Sequence, residues 1–208
     1  MVSASHVQAF LVHGMGRSPR SLLLLAMRLE RAGIRTSRFG YSVMQHDLSE
    51  IASRFAAHVR ARSDGGPYAI IGHSLGNVIA RMASPSLPPG LSKIAMLAPP
   101  NQPPRIARFL GAHPLYRALT KDAGQRLTDD AFYASLPVPS VPTLVFAGTL
   151  GPRARWLPFG GVASDGVVAV DETHLPGADH REVPVIHTLI MNDARVATEI
   201  TAFLRAAP

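Results

Sequence analysis

Tyr68-Ala69-Ile70-Ile71-Gly72-His73-Ser74-Leu75-Gly76 is the stretch whose reading decides the fold of this chain. A short apolar strand, Tyr68 to Ile71, runs straight into Gly72, and Asn77 to Ala83 reads as a helix. Gly72 to Gly76 has the pattern G-x-S-x-G, which is weak alone and specific when it sits between a strand and a helix. In that setting Ser74 occupies a sharp, strained turn that lifts its hydroxyl above a sheet. A glycine is needed on either side because a Cβ there would clash with the neighbouring strand or helix. The following helix starts beneath the serine, so its dipole favours negative charge developing nearby. A chance glycine-rich strand–helix turn is the competing reading.

The rest of the chain repeats the alternation. Val7 to Val12 is an apolar run ended by His13-Gly14-Met15-Gly16, a strand entering a tight loop. Ser18-Pro19 opens a leucine-rich helix to about Arg31, Gly33 stops it, and Ile34 to Tyr41 gives a weaker strand. Asp47 is an N-cap for a helix carrying Leu48, Ile51, Ala52, Phe55 and Val59, which Gly65-Gly66-Pro67 breaks. Further strands are expected at Ile94–Ala98, Thr143–Ala147 and Val183–Ile186, and a closing helix carries Val196, Ile200, Phe203 and Leu204. Strands that are continuous apolar runs alternating with helices specify a mostly parallel sheet with helices on both faces. Sites in such sheets form at the carboxyl ends of the strands.

Length and composition agree with one compact domain over 1–208: the chain is 47% hydrophobic and 17% charged. It has no cysteine, which excludes disulfides, thiolate catalysis and sulfur-ligated zinc. No basic segment precedes the first apolar run and no apolar run approaches the ~20 residues that span a bilayer. The expectation is a cytoplasmic protein without a transmembrane segment, secretion of a mature form being the alternative. The net charge of +7 comes mostly from scattered arginines, without a dense basic run or interleaved aromatics. No nucleic-acid partner is expected, and a peripheral contact with an anionic lipid surface is the other reading of that charge.

A serine hydroxyl becomes a nucleophile when a histidine takes its proton and a carboxylate orients that histidine. For a strand–serine–helix elbow the chain order is Ser, then Asp or Glu, then His. Asp165, in Ser164-Asp165-Gly166, is the first carboxylate after the strand Thr143–Ala147, with Asp171, Glu172 and Asp179 as alternatives. His187 directly follows Val183–Ile186 and is preferred to His180, which precedes that strand, and to the more distant His174. Two N–H donors must meet the developing oxyanion: Leu75 after the serine, and Met15 in the loop after the first strand. His13 reads as a structural histidine holding that loop. His6, His46, His58 and His113 show no metal-ligand spacing, so no metal is inferred.

At these residues the chain resembles the α/β-hydrolase superfamily, and within it the small bacterial serine lipases and esterases. The similar segments are Leu11 to Ser18, the Gly72–Gly76 elbow with Asn77, Met96 to Gln102, Ser164 to Val168, and His187 to Met191. The resemblance implies a three-layer α/β-hydrolase fold in a minimal form, lacking the two leading strands common in larger relatives. It also implies a carboxylic-ester hydrolase that forms an acyl-enzyme on Ser74, uses no cofactor, and takes a small hydrophobic ester or lipid. A thioesterase, amidase or acyltransferase would use the same parts, and a non-catalytic binding domain is the remaining alternative. The segment 101–141 is where a small lid or acyl-pocket wall would be built. Phe109, Leu110, Leu115, Tyr116 and Leu119 are the candidates to line it, and the buried face of one or two short helices is the preferred reading of them. Trp156 lies in the loop before Asp165, where a pocket rim would run.

Overall fold

The structure is a computed structural model and describes residues 7–206. Six strands form one sheet among these residues: β1 (Gln8–Val12), β2 (Arg35–Phe39), β3 (Tyr68–His73), β4 (Leu91–Leu97), β5 (Thr143–Gly148) and β6 (Asp179–Val183). Their order is β2-β1-β3-β4-β5-β6, and every neighbouring pair is parallel. Parallel strands need crossovers, and helices supply them on both faces.

Alternation within the apolar runs divides the core in two. Phe10, Ile70, Met96 and Val145 face α2 (Leu48–Arg62) and α3 (Leu75–Ala83). Their strand neighbours Leu11, Ile71, Ala95 and Phe146 face α1 (Leu23–Arg31) and α7 (Ala194–Arg205). Each inner strand therefore buries both its faces, which is why β1, β3 and β5 carry no polar side. Asp47 caps α2 as expected, its carboxylate accepting from Glu50 N at 2.8 Å, a contact worth ~1 kcal/mol.

The two edge strands differ from the sequence reading. β2 is trimmed to Arg35–Phe39 from the expected Ile34–Tyr41. The last strand is Asp179–Val183 and not Val183–Ile186. Pro184 has no N–H for the ladder, and Val185 N turns back to Val183 O at 2.8 Å. Charged side chains on these strands suit edges open on one side, where they discourage pairing with another chain.

The segment 101–141 folds as three short helices, α4 (Arg105–Leu110), α5 (Pro114–Arg126) and α6 (Asp130–Ser135). Here a further expectation fails: Phe109, Leu115 and Leu119 are 69, 61 and 55% exposed, while Leu110 and Tyr116 are half-buried. Small residues, Ala107, Ala123 and Gly124, turn inward instead and let these helices lie close to the core. The α5 helix is kinked at Lys121 (φ 47°, ψ −131°). The kink is fastened by Lys121 Nζ donating to Met44 O at 2.9 Å and Leu48 N donating to Asp122 Oδ2 at 3.1 Å. No described helix is long and apolar enough to cross a membrane.

Candidate active site

Ser74 stands between β3 and α3 with φ 52° and ψ −123°, the left-handed side of the map for a residue with a Cβ. Such strain costs ~1–3 kcal/mol and persists where the surroundings over-determine it. Here they do. Ser74 N donates to Leu97 O at 2.9 Å, and Asn77 Nδ2 bonds both Ser74 O (3.1 Å) and Leu97 O (3.2 Å). The flanking glycines are required by close approach: a Cβ on Gly72 would lie 2.2 Å from Asn77 Oδ1, and one on Gly76 would lie 2.3 Å from Val12 O. The second contact seats the start of α3 directly on the end of β1, beside the His13–Gly16 loop.

That loop lies against the serine. A Cβ on Gly14 would come within 3.1 Å of Ser74 Cβ and 2.8 Å of His73 Nδ1. Neither the Met15 nor the Leu75 backbone N–H has a protein acceptor among the described residues. His13 is buried and held at both ring nitrogens, Nδ1 at 2.9 Å from Gly14 O and Nε2 accepting from Tyr41 N at 3.3 Å. Tyr41 stacks on its ring at 4.3 Å and donates its hydroxyl to His13 O at 2.8 Å. Burial holds the His13 pKa below its ordinary value, so this ring is a neutral strut.

Asp165 follows β5 in a tight turn that Gly166 completes at φ 96°. Its carboxylate is buried and fully engaged. Oδ1 accepts from Val167 N (2.9 Å) and Val168 N (2.7 Å), and Oδ2 lies 2.7 Å from His187 Nδ1. Acceptance at Oδ2 puts the histidine proton on Nδ1, leaving Nε2 with a lone pair and no partner among the described residues. His187 lies beyond β6 and Ser74 at the end of β3, so all three occupy the carboxyl edge of the sheet.

The alternatives lie elsewhere. His180 is inside β6, not before the last strand, where it bonds Thr173 Oγ1 at 2.8 Å and stacks on His174. Asp179 begins β6 opposite Leu144, at the far end of the ladder. Asp171 and Glu172 hold Arg105, tying α4 to the loop after Asp165. His46 pairs with Glu50, His58 bonds Ser37 and His113 caps α5; His6 lies outside the described residues. Among the described residues no group of three His, Asp or Glu could hold a metal ion.

Beside the Met15 loop opens a cavity of about 590 Å³, lined among others by Met15, Tyr41, Val43, Met44 and Leu119. Sequence reasoning named Met15 as an oxyanion donor and Leu119 as a candidate for an acyl-chain wall, and gave Tyr41, Val43 and Met44 no part in a pocket; these three sit in an irregular loop with no periodic signal. Trp156 is 84% exposed and does not line this cavity. His73 was also passed over; it is buried beside His187, with ring centroids 4.9 Å apart.

The architecture is that of the α/β-hydrolases, in a minimal form. No family model and no curated protein matches the chain. Among solved structures, the mature form of Bacillus licheniformis lipase BlEst2 is similar at TM-score 0.77 and 16% identity, covering 95% of this chain and 91% of that one. A metagenomic carboxyl esterase, MGS0156, is similar at TM-score 0.70 and 15% identity, covering 98% and 76%. A NocB thioesterase domain, in covalent complex with a fluorophosphonate nocardicin G analogue, is similar at TM-score 0.63 and 18% identity, covering 98% and 96%. At these identities the likeness is one of fold.

Proposed function

We propose that this protein is a serine hydrolase of carboxylic esters. The observation that carries the reading is the buried Asp165–His187 pair, 2.7 Å apart, on the same sheet edge as a strained, half-exposed Ser74. His187 Nε2 takes the Ser74 proton as Oγ attacks the ester carbonyl, and the Asp165 carboxylate stabilises the imidazolium that results. The Met15 and Leu75 N–H groups receive the tetrahedral oxyanion. Collapse expels the alcohol with a proton from His187, leaving Ser74 acylated, and water then repeats the sequence to release the acid.

The cavity beside Met15 offers an apolar space for the acyl chain, and the segment 101–141 supplies part of its wall through Leu119 and Thr120. Exposed Leu115 and Leu119, one turn apart on α5, together with Met44 and the net positive charge, support contact with a lipid surface. The substrate is then a small hydrophobic ester or a lipid. Activity is tested by comparing hydrolysis of soluble and emulsified esters by the wild type and Ser74→Ala. Turnover that Ser74→Ala abolishes is expected; turnover equal in both overturns the reading. The structural likeness to a thioesterase domain favours one second reading, a thioesterase on the same residues. Matched oxygen esters, thioesters and amides separate the two.

A further inference from the structure

Three loops must hold register for the chemistry proposed above: the elbow after β3, the Met15 loop after β1, and the His187 loop after β6. One side chain reaches all three. His73 is covalently next to Ser74, and its Nε2 lies 3.1 Å from the backbone oxygen of His187. A carbonyl can only accept, so Nε2 carries the proton and the ring, if neutral, keeps its lone pair on Nδ1. That Nδ1 is buried without a partner among the described residues and faces Gly14, where a Cβ would stand 2.8 Å away.

An unpartnered nitrogen in the core is costly, and a leucine would fill much of the same space without it. What the histidine adds is the Nε2–H bond. With it, His187 is fixed at three points: its N–H to Asp165 O at 3.0 Å, its ring Nδ1 to Asp165 Oδ2, and its carbonyl to His73. The first two fasten the base to the acid. The third alone fastens it to the strand that carries the serine.

We propose that His73 is a positioning residue for the hydrolytic reaction, setting the distance between His187 and Ser74 through its Nε2–H bond to the His187 carbonyl. The inference rests on the hydrolase reading. It requires the ring to stay neutral, since an imidazolium here would oppose the charge that His187 gains as it takes the serine proton. The surroundings enforce this. Burial, then the nearby His187, hold the His73 pKa well below its ordinary value, and Arg17 and His13 add to the effect.

The test uses the side-chain lengths of two amides. The Gln amide nitrogen is as many bonds from Cα as His Nε2, so His73→Gln can restore the donor. His73→Asn places its amide at the level of Nδ1 and cannot reach the carbonyl. With a soluble ester, His73→Asn is expected to lower kcat about 10–100-fold, the scale of a small misplacement of reacting groups, with KM little changed. His73→Gln should recover most of that loss. Equal loss in both variants, or a loss confined to KM, overturns the inference while wild-type turnover leaves the hydrolase reading standing. Wild-type inactivity overturns both. If a variant does not fold, the imidazole nitrogen spectrum of the wild type still decides: the account expects an Nε2–H tautomer that does not titrate near neutrality, and a His73 that titrates there contradicts it.

Discussion

Asp165 and His187 are joined twice, side chain to side chain at 2.7 Å and backbone to backbone, His187 N donating to Asp165 O at 3.0 Å. The double link sets both the tautomer of the imidazole and the plane in which it lies. Removing the carboxylate charge while keeping the shape should therefore act on catalysis more than on folding. Asp165→Asn is expected to lower kcat by ~10³–10⁴, because the amide favours the wrong imidazole tautomer, with secondary structure by circular dichroism unchanged. Activity within a few-fold of wild type would remove Asp165 from the account.

The glycines around the serine are predicted to differ in cost. A Cβ on Gly76 meets backbone, Val12 O at 2.3 Å, whereas on Gly14 it meets the His73 ring edge at 2.8 Å and Ser74 Cβ at 3.1 Å. Backbone yields less than side chains. Gly76→Ala should destabilise the fold at the upper end of the ~1–3 kcal/mol seen for overpacking, and Gly14→Ala should lose activity before stability. Thermal melts and kcat measured together check the order.

Acyl-chain selection should respond to the cavity wall. Leu119→Trp fills space beside Met44 without touching the serine turn. It is expected to depress kcat/KM for long-chain esters by ~10-fold or more, each methylene in an apolar pocket being worth ~1–3 kcal/mol, while acetate esters are hydrolysed as before. A chain-length profile measured on soluble esters reads this directly, and a uniform loss at all lengths would place the acyl chain elsewhere.

Stability should fall on the acid side. His13 and His73 have pKa values lowered by burial, below the ordinary 6.5. Above that value both are neutral folded and unfolded, and neither shapes the pH dependence. Below it the unfolded chain binds protons that the folded chain refuses, so stability is lost as the pH falls, by up to ~1.4 kcal/mol per pH unit for each residue. His58 and His180, shifted the same way by burial, add to the slope. His73→Gln should flatten the dependence of melting temperature on pH between neutrality and mild acid, and an unchanged slope would contradict the assignment.

How legible each part was follows from what its residues do. β1, β3, β4 and β5 bury both faces, so their apolar runs announce them. β2 and β6 are edges, and Arg35-Thr36-Ser37-Arg38 and Asp179-His180-Arg181-Glu182 are polar because solvent reaches them. Such strands carry no hydrophobic signal, and β6 was displaced toward the apolar Val183–Ile186. The geometry nonetheless keeps His187 beyond the last strand. In α4 and α5 the large apolar residues Phe109, Leu115 and Leu119 face out, a pattern that periodicity alone reads as a core face. His73 was hidden by its own motif, standing at a variable position of G-x-S-x-G, where its contact partner lies 114 positions away.

The claim on which the rest depends is that Ser74 is an activated nucleophile. The direct measurement is labelling of intact protein with a fluorophosphonate, followed by mass analysis of the peptide that contains residue 74. The account predicts one adduct per chain, on Ser74, formed by the wild type and absent in Ser74→Ala. Failure of the wild type to label, or labelling that survives in Ser74→Ala, would contradict it.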